Sequence, residues 1–216
     1  MGLTVVTHTM TSWGRDTSKC IESVEAAMPP GGKHVIIDLD DHPHDYQEER
    51  YKALQLDEYI AFVDDDDYIS KDSLSLCFEA IKATDSGIAF TDEVMINVDG
   101  SRTLNSRRVN YNMLPLHPQI VHHLTMIRTS AVSAKPIELA LKHNCGIEWM
   151  MKADAALHHG AIHVPIEGYF WVQHAKQWHK NQDWQNNFIR NIRTLGNEIR
   201  TWGDKTGAIP VWNVVS

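Results

Sequence analysis

The chain is poor in the features that mark several large protein classes. Its 216 residues hold only three cysteines, Cys20, Cys77 and Cys145, far apart and without CxxC spacing. That argues against a zinc site or a disulfide framework and gives the expectation of a reducing, cytoplasmic setting. No run of 18 apolar residues occurs, and Leu3-Thr4-Val5-Val6 is strand-like where a signal peptide would carry a basic segment and a long apolar stretch. No membrane insertion is therefore expected. Gly2 does not read as a myristoylation site, because position 6 is Val where that signal needs Ser or Thr. Basic charge is also scarce: the formal net charge is -8, unlike a protein that coats nucleic acid or an anionic membrane. From Lys176 onward, however, six Lys and Arg face three acids, which leaves a mildly basic tail on an acidic body.

What is present is concentrated at one point. The apolar run Tyr59-Ile60-Ala61-Phe62-Val63 leads directly into Asp64, Asp65, Asp66 and Asp67. Four adjacent carboxylates repel one another and call for a compensating cation, which a divalent metal would supply. On an extended chain Asp64 and Asp66 would share a face, and two hard oxygen ligands on one face suit Mg²⁺ or Mn²⁺ holding a diphosphate. The ordinary alternative is a solvated acidic loop. Tyr68-Ile69 then lead to Ser70, read as an N-cap, and to a helical pattern over Ser73 to Lys82. Strand, acidic turn and helix place the carboxylates at the C-terminal end of a strand, where open α/β sheets bind ligands.

The surrounding pattern gives an α/β fold: a mostly parallel central sheet flanked by helices, with a C-terminal helical tail. Strands are expected at Leu3–Thr7, His34–Leu39, Tyr59–Val63, Gly87–Val98, Ile120–Arg128 and Ile162–Val172, the last interrupted by Pro165 and Gly168. Helices are expected from about Thr17 to Met28, Asp45 to Leu56, 70 to 84, Ile137 to His143 and Glu148 to His159. Residues 102 to 118 read as a loop or a short strand pair, and Asp183 to Thr201 as an amphipathic helix. At this length one domain is the default.

The order of strand, polar turn with helix, strand ending in Asp, helix, and then FVDDDD resembles a glycosyltransferase of the GT-A fold, in particular the large family 2 group. The similarity continues in His122-His123-Leu124-Thr125-Met126-Ile127-Arg128, in Gly146-Ile147-Glu148-Trp149, and in Val164-Pro165 with Tyr169-Phe170-Trp171-Val172-Gln173-His174. It covers about residues 3 to 180. The resemblance implies a transferase domain over 1–180, with a donor-binding half at 1–100 and an acceptor half at 101–180, followed by a helical extension at 181–216. It implies the DXD motif at Asp64 and Asp66, holding Mn²⁺ or Mg²⁺ on a nucleotide-sugar donor, with a UDP-sugar expected. It also implies a metal-completing His174, with His179 in reserve, and a hexosyltransferase-type reaction that inverts the anomeric centre.

Departures from the family pattern sharpen the site. The family's Glu-Asp pair is Glu148-Trp149 here, so Glu148 becomes the catalytic base, with Asp154 second, since either carboxylate could take a proton from an acceptor hydroxyl. Thr7, His8 and Thr9 end the first strand and are expected in the donor pocket with Asp38, Asp40, Asp65 and Arg15, although Asp and Thr also favour such positions as turn formers. Trp149, His123 and Trp171 are expected on the acceptor side, because an indole face stacks on a sugar, with core packing as the ordinary fate of Trp171. The adjacent pairs His122-His123 and His158-His159 do not chelate one ion easily, since neighbours point different ways.

Three other functions compete. A nucleotidyltransferase would show a glycine-rich phosphate loop, and Thr9 to Asp16 has only Gly14. A GT-A-like binding module without turnover is suggested by Trp149. Transfer to a modified DNA base is suggested by Arg102, Arg107 and Arg108 together with the basic tail. Acceptors otherwise include soluble glycans, proteins and small molecules.

Overall fold

The computed structural model describes residues 2–40, 46–105, 123–143 and 146–174, together with Arg190, Thr194, Asn197 and Glu198. Its core is a sheet of eight strands: β1 (Leu3–Thr9), β2 (Lys33–Asp38), β3 (Tyr59–Phe62), β4 (Tyr68–Ile69), β5 (Ile88–Ile96), β6 (Arg102–Asn105), β7 (Thr125–Arg128) and β8 (Ala161–Val172). The order is β2-β1-β3-β7-β5-β8-β4, with β6 paired to β5. β1, β2 and β3 are mutually parallel, β5 is parallel to β8, and β7 runs antiparallel between β3 and β5. Five strands therefore point one way, and β1, β3 and β8 bring their C-terminal ends to one edge.

The helices are α1 (Ser18–Ala27), α2 (Tyr46–Lys52), α3 (Ser73–Thr84), α4 (Ala134–His143) and α5 (Ile147–His159). Side-chain alternation on β3 divides the core between two faces. Ile60 and Phe62 join Met150, Met151 and Ala155 of α5 on one side, while Tyr59, Ala61 and Val63 join Cys20 and Val24 of α1 and Leu74 and Cys77 of α3 on the other. Burial pushes the Cys20 and Cys77 thiols up to about 12, and both are free thiols. No helix among the described residues is long and apolar enough to cross a membrane.

Three local expectations need correction. Ser70 does not cap α3: Asp72 holds the N-cap position without a side-chain bond, and Ser70 instead accepts the Ser73 hydroxyl through its carbonyl. Residues Tyr68 and Ile69 form β4, paired with Phe170 and Tyr169. β8 is continuous through Pro165 and Gly168. Its register with β5 shifts at Thr91/Asp92 and Asp92/Glu93, and this irregularity absorbs the expected break. A Cβ at Gly168 would overlap the Thr91 side chain, so glycine is what lets the two strands approach there. The segment read as a loop or short strand pair starts with β6, which returns on β5 through a turn at Asp99 and Gly100. The rest of that segment and the expected C-terminal helix lie largely outside the described residues.

Candidate active site

The acidic run is a turn, not an extension of β3. The strand ends at Phe62, and the Asp67 amide donates to the Asp64 carbonyl at 3.1 Å. Two-residue alternation therefore stops before Asp64, and the four carboxylates fan out to four different sets of partners. Asp64 accepts from Arg50 Nη2 at 2.9 Å and lies 3.5 Å from His123 Nε2. Asp65 accepts from Thr9 Oγ1 at 3.0 Å and Arg15 Nη1 at 2.8 Å, and burial pushes its carboxyl above the usual range. Asp66 lies 2.7 Å from His174 Nε2 and 3.3 Å from Arg15 Nη1. Asp67, 2 % exposed, accepts the Tyr169 hydroxyl at 2.6 Å and the Val172 amide at 2.8 Å. Burial first, and then the charges of Asp64 and Asp66, hold the Asp67 carboxyl well above its usual range.

The loop after β1 is tied down by the end of β2. Thr11 donates to Asp38, while the Ser12 amide and hydroxyl both reach Asp40 at 2.6 Å. Asp40 in turn donates its amide to Asp38 at 3.0 Å. These contacts fix the short turn of 3-10 helix at Thr11–Trp13 and set Arg15, which stacks over the Trp13 ring at 4.7 Å, beside Asp65 and Asp66. Asp38, Asp40, Thr9, Arg15, Asp65 and Asp66 thus gather at one sheet edge.

Thr7 and His8 behave differently. Thr7 turns inward to Cys20 and to His34 Nε2 at 3.0 Å, so it supports the packing of α1 and β2 and does not face the pocket. His8 is wedged between Tyr46 and Phe62. Burial, with the Arg50 charge second, lowers its pKa to about 2, so its ring is neutral.

Behind Asp64 lies a buried cluster that joins Glu148 and His123, both expected from the sequence, to Arg50 and Lys152, which the sequence pattern did not single out. Arg50, 3 % exposed on α2, pairs with Asp64 and with Glu148 at the start of α5, and its guanidinium lies 4.7 Å from the centres of both the Tyr46 and Phe62 rings. Glu148 also pairs with Lys152, one turn further along α5. His123 stacks on Tyr169 with ring centres 4.9 Å apart and places Nδ1 3.5 Å from Glu148. Arg50 carried no signal beyond a basic residue on a short helix. Glu148 and Lys152 did carry the i,i+4 spacing of a helical ion pair.

The structure does not bring the other acceptor-side residues here. Asp154 points elsewhere on α5, accepting the Ser133 amide at 2.5 Å ahead of α4 and lying 3.1 Å from His158. Six residues along a helix from Glu148 put it on a different face. Trp149, 6 % exposed, packs in the core with Phe62 and Ile147, so its indole is not offered to a sugar. Trp171 is half-buried against the α1 and α3 side. Arg102 is paired with Glu167 at 2.6 Å and lies over the Phe170 ring, while Arg107, Arg108 and His179 fall outside the described residues.

Asp66 and His174 supply one carboxylate oxygen and one imidazole nitrogen side by side, a donor pair that suits Mn²⁺. Asp64 is turned toward Arg50 and His123 and does not join them. Among the described residues no three His, Cys, Asp or Glu side chains gather in a set that could hold a metal ion unaided. Asp66 and His174 are the residues that could offer a divalent ion two of its ligands.

No family model matches the sequence, and no curated protein matches it. Solved structures do match. S. aureus TarS 1-349 in complex with UDP-GlcNAc superposes with a TM-score of 0.56 at 16% identity, over 90% of this chain and 66% of that one. The same fragment in complex with UDP gives 0.51 at 19% identity, over 90% and 65%. A longer TarS structure gives 0.57 at 16% identity, over 92% of this chain and 40% of its own length. The chain thus spans no more than about two thirds of each of these structures. At this identity the likeness establishes the fold alone: a mixed α/β, GT-A-like sheet flanked by helices.

Proposed function

We propose that the protein transfers a sugar from a UDP-sugar to an acceptor hydroxyl, with inversion. The observation that carries this reading is the acidic turn itself. At the edge where β1, β3 and β8 end, it sets Asp66 and His174 beside Arg15 and the Asp38/Asp40 loop, with the Glu148 carboxylate behind Asp64. The GT-A-like fold, and TarS structures holding UDP-GlcNAc and UDP, support the same donor class.

In this reading Asp38, Asp40 and Thr9 line the nucleoside end and Arg15 approaches the diphosphate. Asp66 and His174 hold Mn²⁺ or Mg²⁺, which when bound neutralises charge on the departing diphosphate. Glu148 takes the acceptor proton as the new bond to the anomeric carbon forms on the face opposite the leaving diphosphate, and one such displacement inverts the centre. Inward-facing Trp149 removes the side chain at the family's usual base position from the reaction. The buried free thiols Cys20 and Cys77 agree with a reducing cytoplasm.

A thermal-shift screen of UDP-sugars with and without Mn²⁺ identifies the donor, because a ligand that binds only the native state raises the unfolding midpoint. The expected result is a Mn²⁺-dependent shift with one UDP-sugar, lost in Asp66→Asn. Tight binding without release of UDP, with any acceptor or with water, would leave a binding module and overturn the transferase reading.

A further inference from the structure

We propose that Lys152 is a positioning residue that sets both the orientation of Glu148 and its readiness to accept a proton. The inference rests on Glu148 being the base, as proposed above.

The geometry is specific. Glu148 and Lys152 lie four residues apart on α5, so their side chains share one face. Lys152 meets Glu148 Oε1, and Arg50 meets Oε2. Each carboxylate oxygen therefore has its own cation, which fixes the carboxylate plane. The Lys152 side chain is almost wholly buried, an expensive place for an ammonium unless a neighbouring charge compensates it. An apolar residue of similar volume would fill the same space at no such cost. The placement of an amine here is thus better explained by its action on Glu148 than by packing.

The two cations differ in kind. The Arg50 guanidinium stays charged at all accessible pH. Burial, followed by the Arg50 charge, brings Lys152 down to about 7, so its proton is exchangeable near neutrality. The charged groups acting on it are Arg50 from α2, Asp64 from the acidic turn, Glu93 from β5 and Glu148 on its own helix; Tyr46 lies against Arg50, and His123, ahead of β7, lies beside Glu148. A protonated Lys152 stabilises the Glu148 carboxylate and weakens it as a base. When Lys152 loses its proton, the Glu148 carboxylate keeps its place through Arg50 and gains basicity. Turnover then rises with pH through the Lys152 midpoint.

The direct test is the Glu148 carboxyl titration, followed by ¹³C NMR of the full chain labelled at glutamate Cδ and assigned with Glu148→Gln. In Lys152→Met the Glu148 midpoint should move up by about 1 to 3 pH units, the usual effect of losing an adjacent opposite charge. In Lys152→Arg it should stay at or below the wild-type value. An unmoved midpoint in a folded Lys152→Met protein overturns the proposal. If that variant does not fold, Lys152→Gln gives the same reading. A second readout is UDP release from UDP-GlcNAc with Mn²⁺ across pH 5.5 to 9. Wild type should gain rate through about pH 7, Lys152→Arg should lose that rise, and KM should change little. A rise retained in Lys152→Arg also overturns the proposal. If Glu148→Gln turns over like wild type while the NMR shift is present, the base assignment fails and the Lys152–Glu148 coupling stands.

Discussion

Asp66 and Asp67 are consecutive residues with the same side chain, and their surroundings separate two kinds of site. Asp66 lies at the open side of the turn, beside His174 and Arg15, both of which a ligand could replace. Asp67 faces the closed side, where Tyr169 and the Val172 amide occupy both of its buried oxygens. Open carboxylates keep their capacity for chemistry, and closed ones spend it on holding strands together. The same contrast extends outward. Arg15, Asp38 and Asp40 are partly exposed on the open side, while Arg50, Lys152 and His8 are buried on the closed side.

The contrast is easiest to break at its open end. Asp66→Asn should reduce UDP release by 100- to 1,000-fold, roughly 3 to 4 kcal/mol of transition-state stabilisation, while the thermal midpoint stays within a few degrees. A large loss of stability would mean that Asp66 belongs with Asp67 after all. On the closed side, Asp67→Ala should cost about 3 kcal/mol in urea unfolding, because it strands a buried hydroxyl and a buried amide. Donor affinity measured by calorimetry on the folded fraction should barely change.

His8 gives a smaller, pH-resolved effect. The folded ring stays neutral down to about 2, whereas the unfolded ring titrates near 6.5, so the unfolded chain binds the extra proton between those values. Stability therefore falls as pH drops below about 6.5, by up to about 1.4 kcal/mol per unit. His8→Phe should flatten that slope in unfolding curves measured between pH 6.5 and 4. Smallest is Thr9→Val, which removes one hydrogen bond to Asp65 and should cost about 1 kcal/mol. It sits on the boundary between the two sides, and a donor-affinity loss exceeding the stability loss would assign it to the open one.

The fold was legible because its signals are local. Apolar β-rich runs ending in turn residues and helical spacing in Ser73 to Lys82 specify elements without reference to distant neighbours. The acidic turn was legible for the same reason: charge density next to a buried strand is a sequence property. Which aspartate does what was not. Alternation failed as soon as the chain turned after Phe62, and the roles of Asp64 to Asp67 were then set by Arg50, Thr9, His174 and Tyr169, none adjacent in sequence. Trp149 illustrates the opposite error. Its proximity to Glu148 along the chain suggested a shared site, but one residue is about 100° of helix, enough to turn one side chain into the core and the other toward Arg50.

The contacts of β8 with the acidic turn have a consequence for the order in which the protein is made. Tyr169, Val172 and His174 meet Asp67 and Asp66 across 102, 105 and 108 residues of chain. A nascent chain that has emerged only as far as α5 carries the four aspartates without the strand that restrains them. The geometry of the acidic turn is therefore a late property of synthesis. The loop after β1 can be in place early, but the turn acquires its geometry only when the last described strand slides in beside β5, so a ribosome-bound fragment ending before residue 160 should hold part of the fold without the Asp66–His174 and Asp67–Tyr169 contacts.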